Sequence, residues 1–264
     1  MNGAASASTS AALAETKSSF TCNVCGTACV ARREELDREI PSCTTCNSTV
    51  RARAIVHVLS SCLFGESLTL GEFPRRGDLT GLGLSDWEGY ADRLAEKLDY
   101  RNTYYHQEPR LDIAAIPSEL EESCDFLVSS DVLEHVAPPV ERALVNTFRL
   151  LKPGGTLLLT VPYTLDERTT EHFPALNRYA LCEFDGTKIL VNLRVDGRWE
   201  VHDDLVFHGG SGETLEMRVF ARDDLLAQLE QAGFRDIREW GEDYPRFGIR
   251  WAGQWSLPIT ARHP

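Results

Sequence analysis

Asp125–Tyr163, DFLVSSDVLEHVAPPVERALVNTFRLLKPGGTLLLTVPY, is the stretch whose reading decides the fold. Phe126, Leu127 and Val128 make a short apolar strand, and Ser129, Ser130 and Asp131 follow where an open α/β sheet keeps its ligand crevice. A helix is predicted next. Pro139 suits its first turn, Val140, Ala143, Leu144, Thr147, Phe148 and Leu151 recur at helical spacing, and Lys152-Pro153-Gly154-Gly155 stops it. Thr156 to Val161 reads as a second strand, too uniformly apolar to have a solvated face, as expected when helices cover both sides of a parallel sheet. Periodicity by itself makes this a βαβ unit and no more.

The motifs SSDVLEH and LLKPGG, with a strand ending in VPY, give this stretch more meaning: it resembles one half of a class I S-adenosylmethionine (SAM) methyltransferase. The resemblance covers roughly residues 78 to 262. It implies an α/β fold with a Rossmann-like seven-stranded sheet, helices on both faces, and SAM as cofactor. Leu79-Thr80-Gly81-Leu82-Gly83-Leu84-Ser85-Asp86 stands in the place of the family's first strand and glycine-rich turn. Gly81 occupies the position where the family usually has an acid, and Gly83 lets the backbone approach the methionine part of the cofactor. Ser85 and Asp86 meet its ammonium or hydroxyl groups. Ser85 also opens a capping box with Glu88, ahead of a helix whose Trp87, Ala91, Leu94, Ala95 and Leu98 face the sheet.

Arg101 to Glu108 resembles the second strand, whose end supplies an acid to the ribose hydroxyls. Tyr104 or Tyr105 falls near that place, and Glu108 is the nearest carboxylate, suited to a vicinal diol. Leu111-Asp112-Ile113 resembles the third strand's cofactor motif. Asp112 there accepts from the adenine amino group, or else serves as an N-cap or surface turn. Ser129, Ser130 and Asp131 close the pocket beside the sulfonium.

Cys22-x-x-Cys25 and Cys43-x-x-Cys46 are separated by seventeen residues, a spacing that folds into a tetrahedral zinc site. Four soft sulfurs leave no open position for water or substrate, so such a zinc is structural. Gly26 and Asn47 follow the two pairs, where positive φ is convenient. Cys29 is a spare that fits the spacing less well, and Cys62, Cys124 and Cys182 read as ordinary buried small hydrophobes. Disulfides are disfavoured by the absence of a signal peptide. Ser48 is placed to cap a helix carrying Val50, Ala54, Ile55, Val58, Leu59 and Leu63 on one face. Arg51 and Arg53 at its start read as a solvated face, or else as a contact for an anionic substrate or nucleic acid.

The chain of 264 residues suits one α/β domain with a small appendage, and 42% hydrophobic residues suffice for its core. Residues 1–19, rich in Ala and Ser, read as a disordered leader, 20–64 as the zinc-binding module and 65–264 as the methyltransferase domain. A net charge of −13 counts against nucleic acid as the main partner. No stretch approaches a membrane span, and a cytoplasmic protein is expected. Arg218 to Phe234 looks like a late helix ended by Gly233, with Arg235 to Trp240 and Trp255 to Ala261 as final antiparallel strands. Between 185 and 210 lies an insertion in which Lys188 to Leu193 and Trp199 to Val201 alternate around Asp196-Gly197, a hairpin pattern. In the family such insertions cover the active site and select the acceptor; a hairpin that only extends the core is the competing reading.

Methyl transfer from a sulfonium is an in-line displacement that needs alignment and, for a hydroxyl, a base. His135, His172 and His208 are the candidate bases. The preferred reading is O-methylation of a small molecule or saccharide, with the zinc module supporting the fold or homodimer packing. An RNA-modifying methyltransferase and a non-catalytic scaffold with a degenerate SAM site are the alternatives.

Overall fold

The computed structural model describes residues 17–208 and 214–264. The leader expected over 1–19 lies outside the described residues up to residue 16, and Lys17 to Ser19 belong to a strand. In chain order the elements are β1 (Lys17–Thr21), β2 (Ala28–Arg32), α1 (Val50–Phe64), β3 (Arg76–Leu84), α2 (Glu88–Ala95), β4 (Leu98–Thr103) and β5 (Cys124–Ser130). There follow α3 (Glu141–Leu150), β6 (Leu151–Thr160), β7 (Tyr163–Thr164), β8 (Thr170–Glu171), β9 (Arg178–Phe184), β10 (Thr187–Leu193), β11 (Trp199–His202) and β12 (Phe207–His208). Last come β13 (Thr214–Leu215), β14 (Arg218–Ala221), α4 (Arg222–Ala232), β15 (Arg235–Glu239) and β16 (Ile259–Arg262).

The central sheet has six strands in the order β15-β16-β6-β5-β3-β4. β4, β3, β5 and β6 run parallel, and β16 and β15 are antiparallel. This corrects the expectation of seven strands. Leu111-Asp112-Ile113 is a loop: one bridge from Tyr104 to Arg110 is all the pairing it receives, and the Asp112 carboxylate accepts from the Ala114 amide at 2.9 Å, which turns the chain. Leu111 and Ile113 are buried all the same, so their apolar side chains serve packing without a ladder.

Alternation along the strands sends residues to two cores. Phe126, Val128 and Leu158 face one side with Tyr90 and Leu94 of α2 and Ile55, Val58 and Leu59 of α1. Leu127, Leu157 and Leu159 face the other with Ala143 and Leu144 of α3 and Leu225 and Leu229 of α4. Each such side chain contributes about 1.5–3 kcal/mol on burial. The helix that follows the cysteines is thus one of the helices covering the sheet. Its cap is Thr49, whose hydroxyl accepts from the Ala52 amide, and not Ser48 as the sequence suggests. Ser48 Oγ lies 3.1 Å from Cys22 Sγ instead.

The capping box proposed for Ser85 is also corrected. α2 begins at Glu88 with Trp87 as its N-cap, while Ser85 takes a positive φ of 57° and its amide donates to the Thr103 carbonyl at 2.7 Å. In the insertion, β9, β10 and β11 form an antiparallel three-stranded sheet, so β9 adds to the hairpin read around Asp196-Gly197. Residues 209 and 210 of that insertion lie outside the described residues. Among the described residues no helix is long and apolar enough to cross a membrane.

Candidate active site

The carboxyl ends of β3, β4 and β5 form one edge. Beyond β3, Asp86 is buried, and its Oδ2 accepts a short hydrogen bond from the Tyr100 hydroxyl. Asn102, near the end of β4, ties the same turn down: its Oδ1 accepts from the Asp86 amide at 2.9 Å and its Nδ2 donates to the Asp86 carbonyl at 2.8 Å. Burial pushes the Asp86 carboxyl up to about 7, against the lowering effect of the Tyr100 hydroxyl. A side chain at Gly83 would stand 2.0 Å from the Tyr100 hydroxyl oxygen and 2.5 Å from Asp86 Oδ2. The missing Cβ therefore makes room for this acid and phenol. Gly81 lies inside the sheet, where a Cβ would meet the Phe126 ring at 2.1 Å, so its place is under the core and not at the edge.

Three buried polar atoms gather here, Asp86 Oδ1, the Tyr90 hydroxyl and Ser129 Oγ; the Asp86 carboxyl and the Tyr90 hydroxyl interact with each other, while Ser129 Oγ has no hydrogen-bond partner among the described residues. A buried hydroxyl is seldom left so, and beside an acid and a phenol it marks a place for a polar ligand. An acid, a phenol and a hydroxyl fit the ammonium and hydroxyl groups of SAM. Glu108 sits further out, exposed, with Oε2 accepting from the Arg110 amide at 3.0 Å.

At the end of β5, Asp131 takes a positive φ of 53° and is held from the cysteine module. Arg38 donates to both of its oxygens, at 2.6 and 3.0 Å, and Arg51 Nε lies 3.4 Å away. Arg51 also donates to Ser130 Oγ at 2.6 Å, and Thr160 Oγ1 donates to Asp131 Oδ1 at 3.0 Å. Burial opposes ionisation of Asp131, but Arg38 and then Arg51 hold its carboxyl below the ordinary value. Arg51 is thus no solvated side chain. Arg53 is fully buried, donating to the carbonyls of Ser48 at 2.7 Å and Gly248 at 3.1 Å and to Ser42 Oγ at 2.9 Å.

The three histidines come from different segments and meet. His135 ends a single 3-10 turn, Leu133–His135, just past β5; His172 follows β8, and His208 ends β12. Glu216 joins two of them, with His172 Nε2 at 2.9 Å from Oε1 and His208 Nε2 at 2.7 Å from Oε2. The His135 and His208 rings meet edge to face at 5.0 Å. His135 Nδ1 lies 3.0 Å from the Leu215 carbonyl, and burial lowers its basicity. Arg218, fully buried, donates at 2.7 Å to the carbonyls of both Leu133 and Val136 and pairs with Glu171 at 2.6 Å, which fixes the turn beneath the cluster. A cavity of about 510 Å³ opens beside His208, lined also by Thr187, Lys188, Asp203, Leu205 and Phe207.

Sγ atoms of Cys22, Cys25, Cys43 and Cys46 all lie within 4.8 Å of one another. Gly26 and Asn47 carry φ of 81° and 59° behind the two pairs. Burial works against ionisation of Cys43, yet the amides of Cys46 and Thr45 bring its thiol down to about 6. Among the described residues the buried Arg53 has no carboxylate partner, and the cysteine sulfurs are the anions that favour its charge. Four thiols with a cation beside them fit a thiolate-bound zinc. Cys29 Sγ also approaches Cys43 Sγ, at 3.6 Å.

Arg38, Tyr90, Tyr100, Asn102, Glu134 and Glu216 escape a reading of the sequence. Glu134 and Glu216 carry the clearest signal, each a lone acid inside an apolar run, VLEHV and TLEMRVF. A family model described as methyltransferase domain matches residues 78–239. No curated protein matches the chain. Among solved structures, the chain is similar to a SAM-bound amino pentose methyltransferase from Micromonospora echinaspora, at 12% identity over 82% of this chain and 92% of that one, TM-score 0.44. It is also similar to 1,6-didemethyltoxoflavin-N1-methyltransferase from Burkholderia thailandensis, at 18% identity over 80% and 75%, TM-score 0.41. A sugar N-methyltransferase from a Streptoalloteichus species matches at 13% identity over 71% and 81%, TM-score 0.42.

Proposed function

The chain belongs to the methyltransferase-domain family and is a SAM-dependent methyltransferase, and we propose that it methylates a hydroxyl group of a small molecule or saccharide. The gathering of His135, His172 and His208 around Glu216, just past the β5 edge, carries this reading. A hydroxyl must lose its proton as it attacks, whereas a free amine needs no strong base. Glu216 accepts a hydrogen bond from Nε2–H of His172, which leaves Nδ1 of that ring as the basic nitrogen for the acceptor hydroxyl. The cavity beside His208 is of a size suited to a small molecule.

SAM supplies a methyl group on a positively charged sulfur. Asp86, Tyr90 and Ser129 would hold its polar groups at the edge of β3 and β5, with Ser130 and Asp131 beside them and Glu108 and Asp112 in the outer loop. Asp131, ionised by its two arginines, keeps negative charge near a cation. Cys22, Cys25, Cys43 and Cys46 would bind a structural zinc, which keeps Arg38 and Arg51 aimed at the sheet edge. RNA is the poorer acceptor, since these two guanidiniums are engaged by Asp131, Ser130 and Glu39.

Incubation of the zinc-loaded chain with SAM and matched panels of hydroxylated and aminated glycosides, with S-adenosylhomocysteine (SAH) release as readout, tests the proposal. Hydroxyl acceptors are expected to turn over, with kcat falling about 100-fold in His172→Ala, in line with the usual share of a general base. Turnover of amines alone would contradict it.

A further inference from the structure

We infer that Glu134, His135 and His208 form a binding site for a divalent first-row transition cation, separate from the cysteine set. Each offers a ligand atom, and the three atoms lie within 4.8 Å of one another. Glu134 is fully buried, and neither of its carboxylate oxygens has a hydrogen-bond partner among the described residues. Such a group in a native structure calls for an explanation, and an ion is one of the few that suffice. The nearby guanidiniums do not provide it, since Arg38 bonds to Asp131 and Arg51 to Glu39 and Ser130.

The hydrogen bonds on the far side of each imidazole fix the tautomers in the way that metal ligands require. Next to His135 Nδ1, at 3.0 Å, stands the Leu215 carbonyl, which can only accept, so Nδ1 carries the proton and Nε2 the lone pair, with the Thr214 hydroxyl 3.4 Å away as a long, displaceable donor to it. That lone pair lies 3.8 Å from Glu134 Oε1, a gap too wide for a hydrogen bond. His208 Nε2 is engaged by Glu216 Oε2 at 2.7 Å, which leaves its Nδ1 as the free donor of electrons.

Two imidazoles and one carboxylate suit a borderline divalent cation such as iron, cobalt or zinc and leave coordination positions open. His208 also borders the 510 Å³ cavity. On the methyl-transfer reading, on which this role rests, an acceptor hydroxyl bound to the cation would be easier to ionise, with His172 taking the proton. The cation site itself stands without that reading.

Equilibrium dialysis of the full zinc-loaded chain against Co²⁺ tests the site, with absorption spectra to identify the ligands. One Co²⁺ per chain is expected in addition to the zinc, without thiolate-to-cobalt charge transfer. Glu134→Gln and the half-exposed His208→Ala should each weaken it at least tenfold, while SAH uptake persists as proof of folding. No Co²⁺ taken up by the native chain beyond its zinc, or uptake by both variants equal to that of the native chain, overturns the site. SAH uptake without cobalt overturns this inference and leaves methyl transfer intact, whereas cobalt uptake without SAH supports the site and removes the methyl-transfer premise.

Discussion

Arg38 of the cysteine module grips Asp131 at the end of β5 with both of its terminal nitrogens, at 2.6 and 3.0 Å. The two residues lie 93 positions apart, and their contact makes the small N-terminal module part of the wall of the crevice. Arg38→Ala leaves a mostly buried carboxylate with Arg51 alone, at 3.4 Å. A loss of roughly 2–3 kcal/mol is expected in urea unfolding at pH 7, less than for a fully orphaned charge. The sign with pH follows from the depressed carboxyl: its contribution is present above about pH 4 and is lost as pH falls through the lower native value. The variant and the native chain should therefore converge in acid, and a difference that persists below that range would assign the loss to packing.

Asp86 has the opposite sign. Its native value of about 7 lies above that of the unfolded chain, so the native state retains a proton that the unfolded state gives up between about pH 4 and pH 7. Stability on this account falls across that window. Asp86→Asn cannot ionise and should flatten the slope, raising the melting temperature at pH 8 relative to the native chain while weakening SAH binding. An unchanged slope in the variant would show that another group is responsible.

Removal of the metal should cost the chain more than any single contact. Chelation of the proposed zinc lets thiolates reprotonate, and Cys43→Ser removes one of them, so the negative charge that favours the buried Arg53 is reduced, and structural zinc in small peptides couples about 10–16 kcal/mol to folding. Loss of α1 packing and a large fall in melting temperature are expected. Arg53→Met should narrow the gap between zinc-loaded and zinc-free chains, because the charge stranded by chelation is then absent. An equal gap in both would mean that Arg53 does not depend on the cluster.

The two glycines of β3 should fail in different ways. Gly81→Ala drives a methyl group into the Phe126 ring and is expected to cost about 1–3 kcal/mol of stability with SAH affinity retained in the folded fraction. Gly83→Ala drives it into the Tyr100 hydroxyl and Asp86, so SAH affinity should fall at least tenfold. Calorimetry alongside denaturation separates the two, and equal SAH affinity in both variants would contradict this assignment.

Strands and helices of the central half are legible in the chain because burial on both faces writes uniform apolar runs, as in Thr156–Val161, and an amphipathic helix writes its own period. The cysteine pairs are legible because their spacing is local. Leu111–Ile113 misleads because its apolar residues pack without pairing, and propensity cannot tell those two fates apart. Arg51 reads as solvated since its partners Ser130 and Asp131 lie some eighty residues away. The histidines can each be singled out, but their meeting depends on Glu216, placed by the short strand pairings of β12 with β13 and of β14 with β8.

Calorimetric titration of the zinc-loaded full chain with SAH tests the central claim most directly. One saturable site per chain is predicted, weakened at least tenfold by Asp86→Asn and by Gly83→Ala. A flat titration, or a site indifferent to both substitutions, would contradict the placement of the cofactor at the β3 and β5 edge.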